Sequence, residues 1–341
     1  MKKIYLTEPK RLEIREEPIP EPNDFEVLVK IAFCGICTLE QRLFDGERKI
    51  YYPIVPGHEA SAVVVSVGKA VKTSVSVGDH VVLDLVNRCH VCPACLSGNS
   101  NLCENRFKKG QRVLGGFSQY MVVNPEQVQK IPSDFPLEHA AFTEPLSCCI
   151  RSLRKVKASL GDTILISGAG TMGLLHVKAA LAMGVRVIVS DIDAVRLEDA
   201  KRMGADEVVD ARNPEQFYET IMTITHGHGV DSCIITTVAV SAVESAVKVL
   251  APAGILNIYT SYGNKPSLPV DMNTIHRNEF VITGSEGRTE SDFYTAVRAL
   301  SNRRVVVDDL VTRIYPMGQA QEAVEAALSG STYRVLLDME A

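Results

Sequence analysis

The run Thr163-Ile164-Leu165-Ile166-Ser167-Gly168-Ala169-Gly170-Thr171-Met172-Gly173 joins a short apolar strand to a G-x-G-x-x-G turn. A helix-like run to Met183, closed by Gly184, follows it, and Val185 to Ser190 reads as a second strand ending in Asp191. In this context the glycines at 168, 170 and 173, with Thr171 and Met172 between them, allow a pyrophosphate to approach a helix N-terminus, where free N–H groups favour anions. Asp191 lies 18 residues beyond Gly173, where a carboxylate accepts hydrogen bonds from ribose hydroxyls and repels a 2′-phosphate. The expected cofactor is therefore NAD rather than NADP, with Arg196 nearby as a competing signal.

Downstream the alternation continues. A helix from about Ala194 to Met203, strands at Val208–Asp210, Ser232–Thr236, Ile255–Tyr259 and Phe280–Gly284, and a helix opened by the capping-box-like Ser241-Ala242-Val243-Glu244 predict a doubly wound parallel sheet. Upstream the character differs. Phe25–Ile31 alternates apolar and polar residues, Ala62–Gly68 is β-branched, and Asp79–Leu83 follows a glycine, so this part reads as β-rich and barrel-like. The tail beyond about Gly287, with helical stretches and a last strand at Arg334–Leu337, is expected to return to the first domain. The expected domains are 1–146 with 288–341, and 147–287. With 341 residues, two domains are the default.

Cys89, Cys92, Cys95 and Cys103 form C-x2-C-x2-C-x7-C, a spacing that suits a closed, structural zinc site in a lobe of about residues 87–105. Cys37, His58, Glu59 and, further on, Glu144 are zinc-type ligands for a second site. A thiolate, an imidazole and a carboxylate leave one position for water or substrate, as catalytic zinc requires. The remaining cysteines, Cys34, Cys148, Cys149 and Cys233, read as small core residues. His90, His226 and His228 carry no proposed role, and His176 reads as packing.

Composition limits the alternatives. Hydrophobic residues make up 46% and charged residues 23%, the formal net charge is −5, and no strongly basic run is present, which argues against a nucleic-acid partner. No apolar run approaches a membrane span and the N-terminus lacks a signal-peptide core, so a cytoplasmic protein is expected.

Gly35-Ile36-Cys37, Pro56-Gly57-His58-Glu59-Ala60, the four-cysteine loop, Gly115-Gly116-Phe117-Ser118-Gln119-Tyr120, Glu144-Pro145-Leu146 and the glycine turn follow one another in an order that resembles the zinc-dependent medium-chain dehydrogenases, closest to the sorbitol (iditol) and threonine dehydrogenase branch. The resemblance covers nearly the whole chain. It implies a GroES-like catalytic domain, a Rossmann domain, one catalytic and one structural zinc per subunit, NAD, and a homodimer or homotetramer formed near residues 280–285. It also implies oxidation of a secondary alcohol on a polyol, cyclitol or sugar derivative. A polyol phosphate, served by Arg42, Arg48 or Arg112, a threonine-type amino alcohol, and a redox-inactive NAD-binding relative are the alternatives. Cys37 and His58 match zinc ligands, and either Glu59 or Glu144 completes the set or holds the zinc-bound water. One departure stands out: where the family places Ser or Thr two residues after the cysteine, this chain has Leu39, so Thr38, Glu59 or a water is left to carry the substrate proton.

Overall fold

The computed structural model describes residues 1–48, 51–72, 74–106, 114–263, 265–268 and 270–341. It separates into two compact units, Met1–Ser147 with Arg288–Ala341, and Cys148–Gly287.

The first unit opens with a hairpin, β1 (Lys2–Glu8) and β2 (Arg11–Glu16). It continues through β3 (Val27–Ile36), β4 (Glu59–Val67), β5 (His80–Leu83), β6 (Tyr120–Val123) and β7 (Val128–Lys130). The sequence pattern placed an alternating strand at Phe25–Ile31. The strand instead spans Val27–Ile36, is mostly buried on both faces, and has partners along both edges. β4 lies along one edge, and β6 takes Val27–Lys30 on the other. Ile4, Leu6, Ile31, Leu43, Phe117 and Leu337 belong to the core these strands enclose. β4 begins at Glu59, so the candidate ligand pair His58-Glu59 sits where loop becomes strand.

The second unit is a six-stranded sheet of parallel strands: β8 (Thr163–Ser167), β9 (Arg186–Asp191), β10 (Glu207–Asp210), β11 (Val230–Ile235), β12 (Leu250–Ile258) and β13 (Val281–Gly284). Their order is β10-β9-β8-β11-β12-β13, so the sheet grows outward in both directions from β8 and β11. That reversal leaves a crevice at the carboxyl ends of the strands. Ile164, Leu165, Ile166, Cys233, Ile234 and Leu256 are fully buried, as strands covered on both faces require.

One element differs from expectation. The helix expected to be capped by Ser241 spans Val240–Lys248, with Ala239 at the cap position and no side-chain cap. Ser241 lies inside the first turn, where it lines a cavity beside Ala239 and Ala242.

The tail returns to the first unit. β14 (Val311–Pro316) pairs parallel with β15 (Arg334–Asp338), and β15 pairs antiparallel with Phe33–Ile36 of β3. Residue 334 is thereby brought beside the end of the strand that leads into Cys37.

Candidate active site

Cys37 caps the helix Thr38–Phe44: the N–H of Leu39 donates to its Sγ at 3.1 Å. Four residues of chain then do two jobs, because Glu40 reaches back. Its Oε2 accepts from the Cys37 N–H at 3.1 Å, while Oε1 accepts from the Gly57 N–H at 3.2 Å and lies 2.8 Å from Nδ1 of His58. With Nδ1 engaged, Nε2 of His58 is the nitrogen turned to Cys37, 3.6 Å from its Sγ. Such a carboxylate behind a histidine fixes the ring and its tautomer.

Glu59 completes a group. Ligand atoms of Cys37, His58 and Glu59 all lie within 4.8 Å of one another. Glu59 Oε1 is paired with Arg334 Nη2 at 3.2 Å, and Arg334 Nη1 also donates to the Ile36 carbonyl at 3.0 Å. Glu144, at the start of the helix Thr143–Lys155, is carried by Arg288 Nη1. Among the described residues the three-member group does not include Glu144, although its charge is felt at Glu59.

The electrostatics fit a cation. Burial, with the charge of Glu40 added, pushes the Cys37 thiol up to about 12. Burial likewise lifts Glu59 to about 7, the like charge of Glu144 working against the pull of Arg334. A dication among these atoms would ionise both, and soft sulfur, imidazole and carboxylate together are a zinc donor set. Thr38 is exposed at the head of its helix, and Leu39 is half-buried against the core.

Cys89, Cys92, Cys95 and Cys103 form a second group, with one sulfur from each within 4.8 Å of the others. The loop aims backbone N–H groups at them: Cys92 N–H donates to Cys89 Sγ at 3.3 Å, and Cys89 and Asn105 N–H groups donate to Cys103 Sγ at 3.4 Å each. The N–H of Val91 leads the contacts that bring Cys89 down to about 6, a thiolate at neutral pH. Burial and the neighbouring thiols push Cys95 up to about 12, so a bound metal would be needed to ionise all four sulfurs and close them into a tetrahedral set. His90 is exposed and is not one of the four grouped residues; its main chain hydrogen-bonds to Cys95.

In the second unit Gly168 has φ +109°, open to glycine and strained for other residues. A Cβ on Gly173 would lie 1.8 Å from the Gly168 carbonyl oxygen, so strand end and helix start touch backbone to backbone. A Cβ on Gly170 would meet only Arg196 Nη1, at 3.5 Å, which places Arg196 over the turn. Thr171 and Met172 open the following helix, whose cap position is Gly170. Asp191 Oδ2 accepts from Ala169 N–H at 2.6 Å, and Oδ1 from the N–H groups of Ile192 and Asp193 at 2.7 and 3.0 Å. A cavity of about 430 Å³ lies beside it, lined by Gly168, Asp191, Ile192, Arg212, Phe217 and Thr237 among others. The glycine cradle and the acid at one wall of this cavity suit a dinucleotide. His176 is buried and packs edge-on to Tyr259, with centroids 4.7 Å apart.

Sequence reading left Glu40, Arg334 and Arg288 without roles. Glu40 sits at a position where the resembled family carries an acid, and that was the available signal. Arg288 lies 144 residues from Glu144 and Arg334 lies 275 from Glu59, and no local pattern marks them.

Residues 23–133 match the alcohol dehydrogenase GroES-like domain and residues 171–302 the zinc-binding dehydrogenase model. Sorbitol dehydrogenase of Halalkalibacterium halodurans is 30% identical over 95% of this chain and 94% of that protein. D-arabitol-phosphate dehydrogenase of Enterococcus avium is 33% identical over 94% of this chain and 92% of its own length. Among solved structures, galactitol-1-phosphate dehydrogenase from Escherichia coli matches with a TM-score of 0.88 and 28% identity, covering 99% of this chain and 100% of that one. The chain belongs to the zinc-binding medium-chain dehydrogenases. It is an oxidoreductase of alcohols that works with zinc and a nicotinamide dinucleotide.

Proposed function

We propose that the chain oxidises a secondary alcohol of a polyol, cyclitol or sugar derivative with NAD, at a zinc held by Cys37, His58 and Glu59 with Glu144 in attendance. The observation that carries this is the convergence of three different donor types, two of them backed by buried partners, Glu40 and Arg334. When bound, zinc favours the alkoxide of the substrate, and the nicotinamide accepts hydride from the carbinol carbon.

The chain's own residues set the conditions. Glu40 holds His58 with Nε2 presented, and Arg334 keeps Glu59 in one orientation. Asp191, braced by three backbone N–H groups, stands where a ribose would lie and disfavours a 2′-phosphate. Proton release falls to Thr38, Glu59 or a water. Unchanged turnover and pH profile in Thr38→Ala would exclude Thr38. Cys89, Cys92, Cys95 and Cys103 hold the second, structural zinc.

A phosphorylated polyol is the second reading, favoured by the phosphate substrates named for two relatives. Arg42 lies 4.0 Å from Glu47 and Arg48 is exposed, while Arg112 lies outside the described residues. We also place the protein in the cytoplasm, in keeping with nine free cysteines. Among the described residues no helix is long and apolar enough to cross a membrane. β13 ends its sheet with Val281 exposed, and a second copy added there would give the expected homodimer or homotetramer.

The deciding experiment is NADH formation by zinc-loaded protein on polyols, cyclitols, polyol phosphates and threonine, with a metal-stripped control. Metal-dependent turnover on one class names the substrate. Silence with zinc and NAD both bound points instead to a substrate outside this panel or to a redox-inactive relative.

A further inference from the structure

Behind Glu144 lies a row of alternating charges that the proposed chemistry does not use. Arg288 donates to Glu144 through Nη1, and to Asp84 Oδ1 through Nε at 3.0 Å and Nη2 at 2.9 Å. Asp84 Oδ2 accepts from Arg88 Nη1 at 2.7 Å. Arg88 Nη2 then donates to the backbone carbonyl of Arg288 at 3.0 Å, so Arg288 is fixed at its main chain as well as at its guanidinium. These four side chains are only 2–9% exposed.

The far end of the row is the cysteine lobe. Arg88 directly precedes Cys89. Its Nε lies 3.5 Å from Glu290 Oε2. Glu290 in turn accepts from the hydroxyl of Ser100, which lies between Cys95 and Cys103, and sits 3.7 Å from His90 Nδ1. Arg88 is thus joined to the lobe by the chain at Cys89 and by the ion pair with Glu290, although its Nε makes no hydrogen bond.

We propose that Arg88 is a positioning residue for the reaction: through Asp84 and Arg288 it fixes the carboxylate of Glu144, and it makes that placement depend on the folded cysteine lobe. The inference rests on the reading of Cys37, His58, Glu59 and Glu144 as the active site. Two arginines and two carboxylates sum to zero charge, which lets the row stay buried. Burying charges for stability alone would be a weak use of them, since apolar residues of similar volume often do as well. A forked, doubly anchored guanidinium instead gives geometric definition, which a lysine does not reproduce.

Arg88→Met leaves Asp84 short of a partner and is expected to destabilise the fold. Asp84→Asn combined with Arg88→Met removes one charge of each sign and keeps the row neutral. In that double variant we expect a near-native melting temperature and kcat lowered by up to about tenfold, the low end of what losing a group bonded directly to a metal ligand brings, because Arg88 acts at one remove through Asp84 and Arg288. The pH dependence of kcat should shift, KM should change less than kcat, and Arg88→Lys should recover only part of the loss. Cys95→Ser should move the pH profile in the same direction.

Turnover is not the only readout. Zinc transfer to a chromophoric chelator should separate release from the open three-ligand site, expected to be the faster phase, from release from the closed four-cysteine site. The double variant should speed the faster phase alone, by about tenfold. Unchanged kcat, pH profile and zinc-release rates in a well-folded double variant would overturn the proposal. If the wild-type protein oxidises no alcohol, the functional reading fails by itself, and the zinc-release phases still decide whether Arg88 acts on the open site.

Discussion

His58 Nδ1 and Glu40 Oε1 lie 2.8 Å apart, and the same carboxylate takes the N–H groups of Cys37 and Gly57. Glu40 therefore ties together the two segments that carry Cys37 and His58. Burial is the largest influence on Glu40 and would raise its pKa, but the charge of His58 together with the hydrogen bonds from His58 and Cys37 outweighs it, and the carboxyl is lowered from its ordinary value.

Glu40→Gln is expected to lose zinc from the open site and to lower kcat/KM by about 10- to 100-fold. Zinc content measured beside activity checks this. Two zinc ions retained with normal kcat/KM would show that Gly57 and Cys37 need no charged brace.

The cysteine lobe should contribute stability. Cys103→Ser removes one of four convergent sulfurs and the acceptor of two backbone N–H groups. A drop of several degrees in melting temperature is expected, since each kcal/mol moves Tm by about 2–4 °C in a unit of this size. Scanning calorimetry with zinc analysis would expose a lobe that holds without metal.

Two glycines three residues apart should behave oppositely. Gly173→Ala forces a Cβ within 1.8 Å of the Gly168 carbonyl oxygen, so NADH binding and stability should both fall sharply. Gly170→Ala meets only the flexible end of Arg196 and should fold normally, with a milder loss of NADH affinity. NADH fluorescence titration of both variants makes the comparison.

His176 supplies a pH test of stability. Burial pulls it from 6.5 down to about 4, against the raising effect of its bond to the Met172 carbonyl. Unfolding frees it to take up a proton below about pH 6.5. Its contribution is therefore intact above pH 6.5, falls away as pH drops towards 4, and levels off below. Each pKa unit is worth about 1.4 kcal/mol, so the full effect is roughly 3 kcal/mol. Urea midpoints at pH 7 and 4.5 should differ less in His176→Asn than in wild type.

Much of this was legible in the chain itself, for identifiable reasons. The glycine turn and the four-cysteine loop act through neighbours in sequence, so their spacing carries their geometry. Glu40 was half legible: three residues from Cys37, it formed a helix-capping pair that an acid at that position permits. Arg334 and Arg288 were not legible, because their pairing with Glu59 and Glu144 depends on how β15 and the returning tail are placed. Ser241 misled because a capping-box pattern competes with tertiary context, and there the residue sits inside the first turn and lines the cavity instead.

The partners of Glu59 and Glu144 also fix an order of events at the ribosome. Cys37, His58, Glu59 and Glu144 emerge early, but Arg288 and Arg334 follow only after the whole 148–287 unit has been made. A nascent chain halted inside that unit would expose buried-type acids with no cations to match them. Translation must therefore run past Arg334 before both acids can be paired, and a chain cut short before that point carries Glu59 and Glu144 without the arginines that hold them.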